Sequence, residues 1–186
     1  SENLIAIAED TTGRREYELR IKDLSSNKFL LDRLLGTSGD LAWSSDSRYL
    51  FYVLRDPETL LPFKVYRHRL GDEQSSDTLV YEEKDLSFNL SVGNSRSMKF
   101  IEINIGSTTS SETLYIRSSN PLEDPKKVFS REEDHLYSVE DDHNRLLILT
   151  NWKAKNFRLM QTTFNESEDK KSWKEVIPHR KNVLLQ

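Results

Sequence analysis

Residues 41–55 read LAWSSDSRYLFYVLR, two short apolar runs around the polar turn Ser44-Ser45-Asp46-Ser47. Small and Asx residues there supply local hydrogen bonds and tolerate positive φ. The flanking runs are aromatic, branched and strand-sized, so the stretch reads as a β-hairpin. The same arrangement returns at 90–105 (LSVGNSRSMKFIEINI), turning at Gly93-Asn94-Ser95. It returns again at 136–150 (LYSVEDDHNRLLILT), turning at Asp141-Asp142-His143-Asn144.

Working outward, each hairpin is followed by a third apolar run: 63–70, 112–117 and 156–162. A fourth follows at 78–81, 127–129 and 173–177. Residues 4–35 supply an earlier unit, with LIAIAED, YELRIKDL and KFLLDRLL as its runs. Landmarks set the period: Phe51, Phe100 and Leu147, or Tyr66, Tyr115 and Leu159, are spaced by 44 to 49 residues. A repeat of four short strands at this period is the signature of a β-propeller blade. A helical reading fails, because turn clusters interrupt the apolar runs and few exceed eight residues.

The expected fold is therefore all-β: about four blades of four antiparallel strands, at 1–38, 39–87, 88–134 and 135–182. Residues 183–186 are expected to start a further strand. A propeller must close, so two arrangements compete, a complete four-bladed ring or part of a larger one. The first unit lacks an opening strand pair comparable to 41–55, and Val183-Leu184-Leu185 reads as an interrupted strand. Both features favour part of a larger ring.

Composition is permissive about function but firm in what it excludes. The 186 residues contain no cysteine, which removes disulfides, thiolate metal sites and a cysteine nucleophile. That suits a reducing compartment, and the expected location is cytoplasmic. No apolar run approaches the roughly 18 residues of a membrane helix. A formal charge of -4 and a pI near 5.7 argue against a nucleic-acid module, which carries a basic footprint. The glycines stand at 13, 36, 39, 71, 93 and 106. No two are four apart, so the Gly-x-Ser-x-Gly nucleophile elbow is absent from this sequence. No trio fits a dinucleotide fingerprint, and none precedes Lys-Ser/Thr as in a P-loop.

Several stretches resemble the N-terminal propeller of the prolyl oligopeptidase family, within it the oligopeptidase B (protease II) branch. They are AEDTTGRREYELRIKDL (8–24), LRDPETLLPFKVYRHRLG (54–71), LVYEEKD (79–85), GSTTSSE (106–112), REEDHLYSVE (131–140), AKNFRLM (154–160) and VIPHR (176–180). They lie in order across nearly the whole chain. Serine at position 47, where such turns often carry glycine, is a small departure. The resemblance implies a serine peptidase in which a seven-bladed propeller limits access to an α/β-hydrolase domain, with short peptides cut after Lys or Arg. This chain would be about four of those blades. The triad and the acidic residues that receive the basic side chain would lie outside it, in the part that would be its partner. No catalytic, cofactor-binding or metal residue is assigned to any position here, and no cofactor is implied.

The remaining motifs take plainer readings. His68, His135, His143 and His179 read as exposed strand or turn histidines. Glu140-Asp141-Asp142-His143 reads as an Asx-rich turn, with a metal site as the less economical alternative. Glu82-Glu83-Lys84-Asp85 and Arg131-Glu132-Glu133-Asp134 read as solvated blade edges, the alternative being contact with a peptidase domain or an entering basic peptide. Asn89-Leu90-Ser91 and Asn165-Glu166-Ser167 fit the glycosylation pattern but are discounted, the first because it falls in a strand. Trp43, Phe51, Tyr52, Tyr66, Tyr81, Phe100, Tyr115, Phe129 and Tyr137 read as packing between blades. The chain alone is expected to lack peptidase activity and to self-associate through exposed strand edges. The alternative is a stand-alone propeller serving as an interaction module. The reading frame after Gln186 discriminates the two, by the presence of a Gly-x-Ser-x-Gly.

Overall fold

A computed structural model of the chain describes residues 3–142 and 144–186. Its architecture is all-β. The first sheet runs in sequence order through β1 (Leu4–Glu9), β2 (Tyr17–Asp23), β3 (Lys28–Trp43), β4 (Tyr49–Arg55), β5 (Pro62–Arg69) and β6 (Thr78–Glu82). The second holds β7 (Asn89–Asn94), β8 (Phe100–Gly106), β9 (Ser111–Arg117) and β10 (Lys126–Phe129). The third holds β11 (Tyr137–Asp142), β12 (Arg145–Thr150), β13 (Arg158–Thr162) and β14 (Lys174–Ile177). All neighbours pair antiparallel.

The arrangement departs from four separate four-stranded blades at one place. β3 is sixteen residues long and crosses the boundary expected at 38/39. Its first half pairs with β2 and its second half with β4, and Thr37 pairs with both Tyr17 and Leu54. The first unit thus contributes three strands among the described residues and shares a sheet with the second. The physical reason lies at Gly36 and Gly39, with φ of 69° and 91°. Left-handed backbone is cheap for glycine, so the strand bends from one unit into the next without breaking. At Gly39 a Cβ would also meet the Tyr17 ring at 3.3 Å. The tail differs as well. In place of a strand start at 183–186 there is one isolated bridge, Arg180 to Val183, and the Leu185 N–H donates to the Asn156 carbonyl at 3.0 Å. Among the described residues no strand pairs with 183–186.

The hairpin turns behave as their residues dictate. Ser44 Oγ donates to Asp46 Oδ1 at 2.6 Å and accepts from the Tyr49 N–H at 3.0 Å. The hydrogen bond from Ser44, joined by those from Arg48, holds the Asp46 carboxyl down at about 2. Ser47 sits at φ 56°, the conformation a glycine would take freely.

Three apolar clusters hold the units together. One lies within the first sheet and includes Leu19, Ile21, Leu34, Leu50 and Tyr52. The second joins Phe51, Val53 and Val65 to Leu90, Ile101 and Ile103 across the boundary between the first two sheets. The third joins Tyr115 and Val128 to Tyr137, Leu146, Ile148 and Met160 across the next boundary. Burying each such side chain contributes about 1.5–3 kcal/mol. The aromatic residues named above all lie in or against these clusters.

Candidate functional site

The histidines are where the structure differs most from the sequence reading. His68 is fully buried on β5, not exposed. Strand alternation explains this: Arg67 and Arg69 point one way, while His68 shares the opposite face with Tyr66 and Leu70. Its Nδ1 lies 2.7 Å from Asp77 Oδ1 and its Nε2 3.0 Å from Asp32 Oδ1. Asp32 stands on β3 in the first unit, and Asp77 follows the short 3-10 turn Gln74–Ser76. The Gly71 N–H donates to Asp32 at 2.6 Å, and Tyr52 Oη donates to Asp77 Oδ2 at 2.9 Å. Burial opposes a charge on the ring, but the hydrogen bonds and charges of Asp77 and Asp32 outweigh it and raise the His68 pKa. The ring is held between two carboxylates, an arrangement that favours its charged form. With both ring nitrogens committed, it cannot take a proton from a serine as a triad base must.

His135 is also buried, at 4% exposure, again in place of the exposed turn position expected. Its Nε2 lies 2.8 Å from Thr150 Oγ1, and Glu132 Oε2 lies 3.8 Å from its Nδ1. The order acid, imidazole, hydroxyl imitates a triad. Thr150 is fully buried, however, and its Oγ1 already accepts the Trp152 N–H at 3.0 Å. Phe129, Tyr137 and Trp173 stand around the ring with centroids 5.3 to 6.2 Å away. Burial, with the charge of Lys170, pushes the imidazole down to about 4. No substrate can reach this hydroxyl, and the histidine serves as a neutral packing group. His179 is half-buried, and His143 lies outside the described residues.

The two charge clusters are only partly solvated edges. Glu82, Lys84 and Asp85 are exposed, as are Glu132, Glu133 and Asp134. Glu83 is 8% exposed, and its Oε2 accepts from Arg131 at 2.5 Å. Arg131 also donates to Tyr81 Oη at 3.0 Å and lies 4.1 Å over the Phe88 ring. Its backbone N–H donates to Glu112 Oε2 at 2.9 Å. Burial works against the Glu83 charge, yet Arg131 keeps its carboxyl below the ordinary range. The expected edge is thus a buried ion pair joining the second and third units, because the two clusters meet across the boundary. A further tie is Asn94, which accepts from the Trp43 N–H at 2.8 Å and donates to its carbonyl at 2.9 Å. Among the described residues no group of three or more His, Asp or Glu is placed to hold a metal ion.

The Asp32–His68, Glu83–Arg131 and Trp43–Asn94 contacts tie one unit to the next. The sequence matches the family described as "Prolyl oligopeptidase, N-terminal beta-propeller domain" over residues 1–186. It is 41% identical over 188 residues to dipeptidyl aminopeptidase BI of Pseudoxanthomonas mexicana, which covers 98% of this chain and 25% of that protein. It is 35% identical over 192 residues to Protease 2 of Moraxella lacunata, covering 97% of this chain and 28% of that protein. The structure resembles oligopeptidase B from Leishmania major, with a TM-score of 0.92 at 28% identity, over 100% of this chain and 26% of that one. The chain spans about a quarter of the length of these relatives. Repeating blades, buried inter-blade ties and the match along the whole sequence lead to one assignment: this chain belongs to the prolyl oligopeptidase family, as part of its N-terminal β-propeller.

Proposed function

We propose that this chain is the access-limiting propeller portion of a serine peptidase that hydrolyses short peptides after Lys or Arg, and that by itself it hydrolyses none. The observation that carries this reading is the likeness to oligopeptidase B from Leishmania major along the whole chain. Acyl transfer needs an exposed serine, a histidine to take its proton and a carboxylate to orient that histidine. Here His68 is held by two aspartates and His135 is walled in by aromatic rings. In this reading the nucleophile and its base come from another part of the protein. The blades supply a stiff wall around the entrance, which favours short flexible peptides over folded ones. The negative formal charge steers basic peptides toward it.

A second reading follows from the 41% identity to a dipeptidyl aminopeptidase: removal of dipeptides from the amino end. Chromogenic peptides with Arg or Lys before the scissile bond separate the two when offered to the full-length protein with free or blocked amino ends. Cleavage of the blocked peptides supports internal cleavage after basic residues. Cleavage of free dipeptidyl substrates only supports the second reading. Turnover by the rigorously purified 186-residue chain would refute its proposed inactivity.

A further inference from the structure

The strands β7 and β11 each stand at the end of their sheet with one side unpaired. In an antiparallel pair alternate residues turn their N–H and C=O to the partner strand, and those between turn theirs away. The Ser95 N–H donates to the Phe100 carbonyl at 2.9 Å. Counting back along the register with β8, Gly93, Ser91 and Asn89 also face β8, while Val92 and Leu90 turn their N–H and C=O to the open side. On β11 the count starts from the Asn151 N–H, which donates to the Leu136 carbonyl at 3.1 Å, and it turns Tyr137 to the open side. That position is closed by a side chain: Ser111 Oγ accepts from the Tyr137 N–H at 2.7 Å and donates to its carbonyl at 2.8 Å. Asn94 closes Trp43 at the end of β3 in the same way. Among the described residues no side chain closes Leu90 or Val92.

Beside this open edge, between β7 and β11, lies a cavity of about 340 Å³. Leu90 and Ile105 line it, together with the neutral polar side chains of Asn89, Ser91, Asn104 and Ser138. Thr113 Oγ1 donates to Asn104 Oδ1 at 3.0 Å, which leaves the Asn104 amide group free to donate. The charged residue in the lining, Glu112, is already engaged by the Arg131 N–H at 2.9 Å and by Lys127 at 3.5 Å.

We propose that this cavity and the open edge of β7 hold an extended peptide main chain, which lies beside β7 as an added strand. Peptides come to this edge because the whole protein is the peptidase proposed above, so the site deepens that reading. An extended segment repeats its N–H and C=O at the two-residue spacing that Leu90 and Val92 offer. Neutral amides and hydroxyls meet the main chain and small polar side chains, and a charged side chain finds no free counter-ion there. The grip is therefore indifferent to the Lys or Arg before the scissile bond and acts on the residues that flank it.

The test is binding of a short fluorescein-labelled peptide of alternating threonine and glutamine to the full-length protein. The probe contains no Lys or Arg, so its binding does not depend on where the protein cuts. Fluorescence anisotropy reads the affinity, and hydrogen exchange at saturating peptide reads the place. Exchange is expected to slow at Leu90 and Val92 and to stay unchanged at Tyr137. Methylating the central peptide nitrogens of the probe removes its donors and should weaken binding about ten-fold. Ser138→Trp, at an exposed position on the β11 wall, should fill the cavity and weaken binding similarly at an unchanged urea midpoint. Unchanged exchange at Leu90 and Val92, equal binding of the methylated probe, or undiminished binding by Ser138→Trp each overturns the site. Protection of those two amides that rises with protein concentration alone would put a second copy of the chain there and overturn it as well.

Discussion

Replacing His68 with glutamine tests the buried clamp most sharply. The ring is fully buried, and the Asp32 and Asp77 side chains are 3% and 2% exposed. The variant leaves two carboxylates in that volume without their cation. Removing one member of a buried charged group typically costs about 3–5 kcal/mol, because the partner charges are left uncompensated. With a urea m-value of about 2 kcal/mol per M, the midpoint should fall by roughly 1.5–2.5 M. The pH profile adds an independent signature. Since folding raises the His68 pKa, its contribution is complete below the ordinary value of 6.5. It is lost as pH climbs through the elevated one. The wild-type chain should therefore lose stability on the alkaline side of 6.5, and His68→Gln should show a shallower decline than the wild type. Urea unfolding followed by tryptophan fluorescence at pH 6, 7, 8 and 9 reads both. A midpoint shift below about 0.3 M, or identical alkaline profiles, would show that the cluster is solvated and the reasoning mistaken.

Two other ties make comparable predictions. Arg131→Met is expected to cost about 3–5 kcal/mol, because it leaves Glu83 buried without its cation. Arg131→Lys should recover only part of that in urea unfolding, since an ammonium cannot reproduce the planar group that lies over the Phe88 ring while one of its nitrogens meets Glu83 and Tyr81. Asn94→Ala removes both hydrogen bonds to Trp43. It should cost about 1–3 kcal/mol and measurably speed exchange of the Trp43 amide, while an unchanged amide would contradict the assigned tie.

The strands were legible because their signals are local. Ser44, Asp46 and the glycines and asparagines of the later turns mark where the chain reverses, and the apolar runs between them have one length. The polar ties were not legible from charge clusters. Glu83 sits among Glu82, Lys84 and Asp85 and looks solvated; its partner Arg131 is 48 residues away. His68 looks exterior between two arginines, and Asp32 is 36 residues distant. One signal was available: Tyr66 and Leu70 flank His68 at two-residue spacing, which assigns the histidine to their apolar face. The unbroken course of β3 was hidden for another reason. Gly36 and Gly39 flank the boundary expected at 38/39, whereas here they let one strand change its partner.

That unbroken strand bears on how the molecule assembles. In a repeat array each unit can in principle order separately and then dock, and the stability is a sum of unit and neighbour terms. The first two units do not offer that separation, because Thr37 is paired with a strand of each. A disturbance that frays β2 travels along the same backbone into the ladder with β4. The loops at 83–88 and 130–136 interrupt no ladder. Protection at these joints rests on the Glu83–Arg131 tie and on the apolar clusters across each boundary, not on a shared ladder.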